Sequence, residues 1–416
     1  MNCDLIWNNI PESPKDKILY YDALYKKDKN PNKVNMTNGC YQDENGESWV
    51  LPCVREATEQ LFASKDFKHD YIPMGGDKEF MEKAVVIAYG EKNGLLSGKY
   101  KQSQVAKVQS LSGSGGIYLA YQLVNRFYKG FSGFIYTPEP TWPIHNSMAK
   151  MHGFTTKTYR YYDLDKRVLN FEGMKEDFAN MPERSVIVLQ PVGNNPTGFD
   201  PSLKQWRELL EITLRRKFMI FFDMPYQGFV SGDYDKDAYA VRLFTENGAN
   251  VMVAQSFAKN FGLYGQRVGC LSIPVEDEDL CERMSDFLAF FTRNTHSSCP
   301  RFGSDVIRII LNSQELTNQW KKDLITMSSR MKRVRRLLLH RLQELGSKHD
   351  WSFLVQQQGM FAYTFLTKEQ VTQLRERFSV YMLDSGRICV CGLNDSNIDY
   401  TARALISVTC KDRSFK

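Results

Sequence analysis

The sequence predicts an α/β protein, with a large portion built on a mostly parallel central sheet flanked by helices and a smaller α+β portion. Three observations carry that reading. Between about Val105 and Ile273, short apolar runs alternate with amphipathic stretches. The runs recur mostly at ~30 residues or more, the length of a strand–helix–strand unit. Beyond about Ser313 the pattern changes to one long helical stretch, short strands and a final helix.

The strands expected in the large portion are Val105–Leu111, Gly133–Tyr136, Val186–Leu189, Phe218–Phe222 and Val251–Ala254. In the smaller portion a helix is expected over roughly Ser313–Leu345, because Met331, Val334, Leu338, Leu342 and Leu345 recur at helical spacing. The charges of Arg330-Met331-Lys332-Arg333-Val334-Arg335-Arg336 then fall mostly on the opposite, solvated face. Short strands follow near Ser352–Leu354, Phe361–Phe365 and Arg387–Val390, and a last helix near Ile398–Val408. The first 50 residues or so have little core of their own and are expected to pack against the C-terminal part.

Composition narrows the function. Hydrophobic residues make up 42% and charged residues 25%, ordinary values for a soluble globular chain. No run approaches the ~18 apolar residues of a membrane span. Met1-Asn2-Cys3-Asp4-Leu5-Ile6-Trp7 lacks the charged n-region and apolar core of a signal peptide, and is not a transit-peptide pattern. The nine cysteines are scattered without a CxxC pair, which points to reduced thiols and a cytoplasmic setting. The six histidines have no metal-ligand spacing, so no metal is expected. The net charge of +6 is mild and not gathered into a tail. The basic stretch lacks interleaved aromatics, so no nucleic-acid partner is expected.

The chemistry-bearing residues stand where the apolar runs stop, the edge at which open α/β sheets bind ligands. Val105–Leu111 is followed by Ser112-Gly113-Ser114-Gly115-Gly116 and a helical pattern, a turn that brings backbone N–H groups and a helix N-terminus to an anion. A dinucleotide fingerprint starting at Gly113 would require glycine where Tyr118 stands, which disfavours a dehydrogenase. Trp142 follows the second run, and Asn195-Pro196-Thr197-Gly198 follows the third. Asp223 ends the fourth, where an acid is poorly solvated and needs a cationic partner such as a protonated pyridine. The fifth leads into Ser256, Lys259 and Arg267: a lysine for a Schiff base, with a hydroxyl and a guanidinium for a phosphate. Singly, each has an ordinary explanation as a turn, a packed tryptophan, a helix cap or an exposed lysine. Together they supply the parts that one cofactor, pyridoxal phosphate, requires.

Asn195-Pro196-Thr197-Gly198, Asp223-Met224-Pro225-Tyr226-Gln227-Gly228-Phe229 and Ser256–Arg267 resemble the aspartate aminotransferase family of fold-type-I pyridoxal-phosphate enzymes. The resemblance runs nearly the whole chain. It takes in Trp49-Val50-Leu51-Pro52, Tyr71-Ile72-Pro73-Met74-Gly75-Gly76, Gly359-Met360-Phe361 and Ser385-Gly386-Arg387-Ile388. It implies that Lys259 anchors pyridoxal 5'-phosphate and moves the substrate proton. Asp223 would hold the pyridinium, Asn195 and Tyr226 the ring hydroxyl, and Trp142 the ring face. Ser112, Gly113, Ser114, Ser256 and Arg267 would hold the phosphate, joined by Tyr71 from a second subunit. Arg387 would bind the substrate α-carboxylate beside Gly39, Trp142, Asn195 and Phe361, and Arg293 of the neighbouring subunit the distal carboxylate.

The resemblance further implies a homodimer with shared sites and ping-pong transfer between dicarboxylic amino acids and 2-oxo acids. Residues 1–50 would form an N-terminal arm and part of the small domain, 51–325 the large domain and 326–416 the C-terminal small domain. Gln190 and Asn194 stand where the family often has histidines, and Met36-Thr37-Asn38 replaces a small apolar stretch. These departures leave open a broader transaminase that also takes aromatic amino acids. A non-catalytic scaffold on the same fold is disfavoured by the presence of Lys259 and Asp223.

Overall fold

The computed structural model describes residues 10–13, 15–65 and 67–410, so the segment Met1–Trp7 lies outside the described residues. Its centre is a seven-stranded sheet. In spatial order the strands are Val105–Leu111, Val268–Pro274, Asn250–Ser256, Met219–Met224, Val186–Leu189, Phe134–Glu139 and Thr155–Arg160. Six run parallel, and Val268–Pro274 is antiparallel to both of its neighbours.

The apolar runs are uninterrupted because both sheet faces are covered. Ile187, Leu189, Ile220, Phe222, Val251 and Val253 point into one core cluster. Val186, Val188, Phe221, Met252 and Ala254 point into another on the opposite face. Gly116 on the helix Ser112–Phe127 fits against the second face because a Cβ there would lie 3.0 Å from the Ala254 Cβ.

Two strands of this sheet carry little sequence signal. Thr155–Arg160 is an edge strand whose side chains are mostly exposed, so it has no apolar run. Val268–Pro274 is interrupted by Gly269, Cys270 and Ser272, small residues that dilute the pattern although the strand is buried.

An early and a late segment of the chain meet. Val34 pairs with Val380 and Asn35 with Tyr381 in a parallel ladder. Phe361–Tyr363 pairs with Arg387–Cys389. The expected strand at Ser352–Leu354 is instead part of a short helical turn, with a helix over Phe353–Gln356. There the Asp350 carboxylate accepts the Ser352 N–H at 2.9 Å and turns the chain, a local competitor of extended structure.

The helix Gln314–Glu344 matches its sequence pattern, but two of its arginines do not lie on a solvated face. Arg330 and Arg335 are buried. Arg330 donates to the Leu393 carbonyl at 2.8 Å and the Asp43 carbonyl at 2.9 Å. Arg335 donates to the Leu354 carbonyl at 3.0 Å and the Gly359 carbonyl at 2.9 Å. Guanidinium groups are spent there on loop carbonyls, which periodicity does not reveal. Among the described residues no helix is long and apolar enough to cross a membrane.

Candidate active site

The parallel arrangement brings the ends of Val105–Leu111, Phe134–Glu139, Val186–Leu189, Met219–Met224 and Asn250–Ser256 to one edge of the sheet. The antiparallel strand Val268–Pro274 begins at that same edge, because Val268 pairs with Leu111. Arg267 therefore arrives beside Ser112. Both residues are left-handed, with φ +52° at Arg267 and φ +61° at Ser112. Gly269 allows the close approach: a Cβ there would meet the Ser112 carbonyl carbon at 2.7 Å. The Ser112 and Ser256 hydroxyls lie 2.7 Å apart. The helix Ser112–Phe127 starts here without a side-chain cap, so its first N–H groups and positive dipole end are available to an anion.

Asp223 sits inside the strand Met219–Met224, paired with Ala254, and is 1% exposed. His145 Nε2 lies 2.9 Å from its Oδ2, and Gln190 Nε2 donates to the same oxygen at 3.1 Å. An ionised carboxylate only accepts, so His145 Nε2 carries a proton. In neutral imidazole Nδ1 then accepts from the Thr141 hydroxyl, 2.8 Å away. The Gln190 Oε1 accepts the Asn195 N–H at 2.7 Å. Gln190 thus ties the Asn195 loop to Asp223, a role its sequence position alone did not reveal. Among the described residues no lysine or arginine pairs with Asp223, which leaves it ready for a cation in the cavity.

Lys259 follows the strand Asn250–Ser256, with its Nζ 5.4 Å from the centre of the Tyr264 ring. Burial lowers its pKa; the Arg267 cation works the same way, while Cys40 and Asp223 oppose the shift. Burial pushes the Tyr226 phenol up, against the pull of the Arg387 cation. Arg387 is 4% exposed, lies 4.4 Å from the Phe361 ring centre and is itself shifted down by burial. Its Nη2 donates to the Thr37 carbonyl, whereas Nε has no partner among the described residues.

These groups share one cavity of about 240 Å³. Every site residue expected from the sequence lines it except Tyr71 and Arg293. Tyr71 is 89% exposed, and Arg293 is exposed on the helix Glu278–Thr295, where it donates to Ser297. The family resemblance places both in the site of a neighbouring subunit. Ile18, Cys40, Gln190 and Tyr264 also line the cavity. Ile18 comes from the helix Lys17–Lys27, whose pattern gave no sign of a pocket. Tyr264 lies in the quoted motif, and its hydroxyl accepts the Tyr41 N–H at 2.8 Å.

The model of the family described as "Aminotransferase class I and II" matches residues 31–405. The chain belongs to that family. A curated relative, the mitochondrial aspartate aminotransferase of Dictyostelium discoideum, is 40% identical over 97% of this chain and 93% of its own. The solved structure of a cytoplasmic aspartate aminotransferase from Saccharomyces cerevisiae superposes with a TM-score of 0.93 at 35% identity, covering 97% of this chain and 98% of that one. An aromatic-amino-acid aminotransferase from Burkholderia pseudomallei, solved covalently bound to pyridoxal phosphate, gives a TM-score of 0.91 at 32% identity, covering 97% and 99%. Class I aminotransferases use pyridoxal phosphate, and this site fits it. The uncapped helix start with Ser112, Ser256 and Arg267 suits the phosphate, the buried Asp223 suits the pyridinium, and Lys259 is the buried amine.

Proposed function

We propose that this protein is an aspartate:2-oxoglutarate aminotransferase that works with pyridoxal 5'-phosphate anchored on Lys259. The reading rests on one observation: a single cavity joins the buried amine of Lys259, the buried acid Asp223 and the half-satisfied guanidinium of Arg387. When bound, the cofactor supplies an electron-accepting ring that stabilises the charge left on an amino acid that loses its α-proton. Asp223, braced by His145 and Gln190, holds the proton on the ring nitrogen. Lys259 carries the α-proton away and returns it, helped by burial that moves its amine toward neutrality. Arg387 seats the α-carboxylate with its free Nε edge. Trp142 covers the ring, and Asn195 and Tyr226 hold the ring hydroxyl.

We propose further that a second copy of the chain completes each site by supplying Tyr71 and Arg293. In support, Arg293 shares its helix with the exposed Phe287 and Phe290, at 43% and 52% exposure. We assign 1–50 to an N-terminal arm and part of the small domain, 51–325 to the large domain and 326–416 to the C-terminal small domain. The cytoplasm is the proposed compartment, supported by eight described cysteines that are all free.

One observation favours a broader enzyme that also takes aromatic amino acids. A solved structural neighbour with a TM-score of 0.91 is an aromatic-amino-acid aminotransferase. Measuring kcat/KM for aspartate, glutamate, tyrosine and phenylalanine, with and without Arg293→Ala, decides between the two. Aspartate and glutamate are expected to lead, and Arg293→Ala to cost them roughly 10- to 100-fold more than the aromatics. Equal efficiency on tyrosine and aspartate would refute the narrow reading.

A further inference from the structure

Cys40 is a nucleophile that transamination does not use, and it lines the same cavity as Lys259 and Arg387. It is half-buried, and its Sγ lies 3.4 Å from the Asn38 Oδ1. The Arg387 guanidinium in that cavity is more than nine-tenths buried and leaves Nε without a partner among the described residues. A cation of that kind, in the cavity that Lys259 also lines, selects a carboxylate ligand. We propose that Cys40 is a covalent modification site for unsaturated four-carbon dicarboxylates, the class that includes fumarate and maleate. The inference rests on the dicarboxylate reading of the site, because such a molecule has the length and charge of the proposed substrates plus an electrophilic double bond.

The chemistry needs no co-reactant. The Cys40 sulfur forms a C–S bond to one vinylic carbon, and the π pair moves to the neighbouring carbon. That carbon takes up the proton the thiol gives up; nothing leaves, and the product is a thioether carrying two carboxylates. Burial holds the Cys40 thiol above its ordinary range, with the Lys259 cation opposing. A reagent that merely collides therefore finds little thiolate. A reagent seated on Arg387 gains from proximity instead. Selectivity thus comes from docking and not from intrinsic reactivity.

Cys410, exposed near the end of the described chain, is an internal reference. The holoenzyme is exposed to fumarate, maleate or neutral iodoacetamide, and adducts at each cysteine are followed by peptide mass spectrometry alongside aspartate turnover. Fumarate and maleate are expected to label Cys40 at least about tenfold faster than Cys410, and iodoacetamide to reverse that order. Succinate, the saturated analogue, slows Cys40 labelling, and Arg387→Lys lowers the Cys40-to-Cys410 ratio. Activity loss tracks the Cys40 adduct and disappears in Cys40→Ala and Cys40→Ser, each compared with its own starting activity. Labelling of Cys410 by fumarate as fast as Cys40 overturns the proposal, as does full activity with Cys40 modified. The labelling ratio is read whether or not aspartate is turned over, so failure of this site and failure of the proposed function are separate results.

Discussion

Replacing Arg387 with lysine tests how the site holds a carboxylate. In the structure one guanidinium nitrogen is committed to the Thr37 carbonyl, and Nε is a buried donor without a partner among the described residues. A planar guanidinium offers two parallel bonds to a carboxylate, whereas an ammonium offers one compact charge. The substitution therefore removes one charged hydrogen bond, worth about 1.5–3 kcal/mol. At 1.36 kcal/mol per factor of ten, kcat/KM falls roughly 10- to 150-fold. The α-carboxylate is common to all substrates, so the loss should be the same for aspartate, glutamate and phenylalanine. Single-turnover half-reactions followed by cofactor absorbance measure it directly. A loss on aspartate with none on phenylalanine would refute the assignment, because it would place Arg387 at the distal carboxylate.

Two further substitutions probe the scaffold. Asp200 accepts the N–H groups of Gly193 and Asn194 at 2.7 and 2.9 Å, and burial raises its pKa to about 6. The folded state thus binds this proton more tightly than the unfolded chain, whose carboxylate titrates near ~3.9. Its contribution to stability is fully present below about pH 4 and is lost as pH rises toward 6. In urea unfolding, the stability of the wild type relative to Asp200→Asn is expected to fall across that window and level off above it; a difference that rises instead contradicts the burial argument. Arg335→Met leaves the Leu354 and Gly359 carbonyls without their donor, and about 2–4 kcal/mol of stability is expected to go with it. An unchanged urea midpoint would show that these carbonyls find water.

The central strands were legible because a helix-flanked parallel sheet buries both faces, and Ile187, Val188, Ile220 and Phe221 announce that directly. The edge strand Thr155–Arg160 was not, since exposed threonines carry no burial signal. Nor was the burial of Arg330 and Arg335, because a guanidinium satisfied by carbonyls from distant loops looks like any surface arginine in one dimension. In the site, Lys259 and Asp223 could be picked out as reactive types where apolar runs stop, and Arg387 only through the family resemblance. Gln190 could not: its importance lies in bridging Asp223 and the Asn195 backbone, a relation between three segments. Cys40 and Ile18 were likewise invisible, because their neighbours in the cavity come from remote parts of the chain.

The account turns on Lys259 as the anchor of the cofactor. Borohydride reduction of the protein loaded with pyridoxal phosphate, followed by peptide mapping, tests it most directly. The reduced cofactor is expected on Lys259, with none retained after reduction of Lys259→Ala. Retention on a different lysine, or a protein that stays colourless with the cofactor supplied, would contradict it.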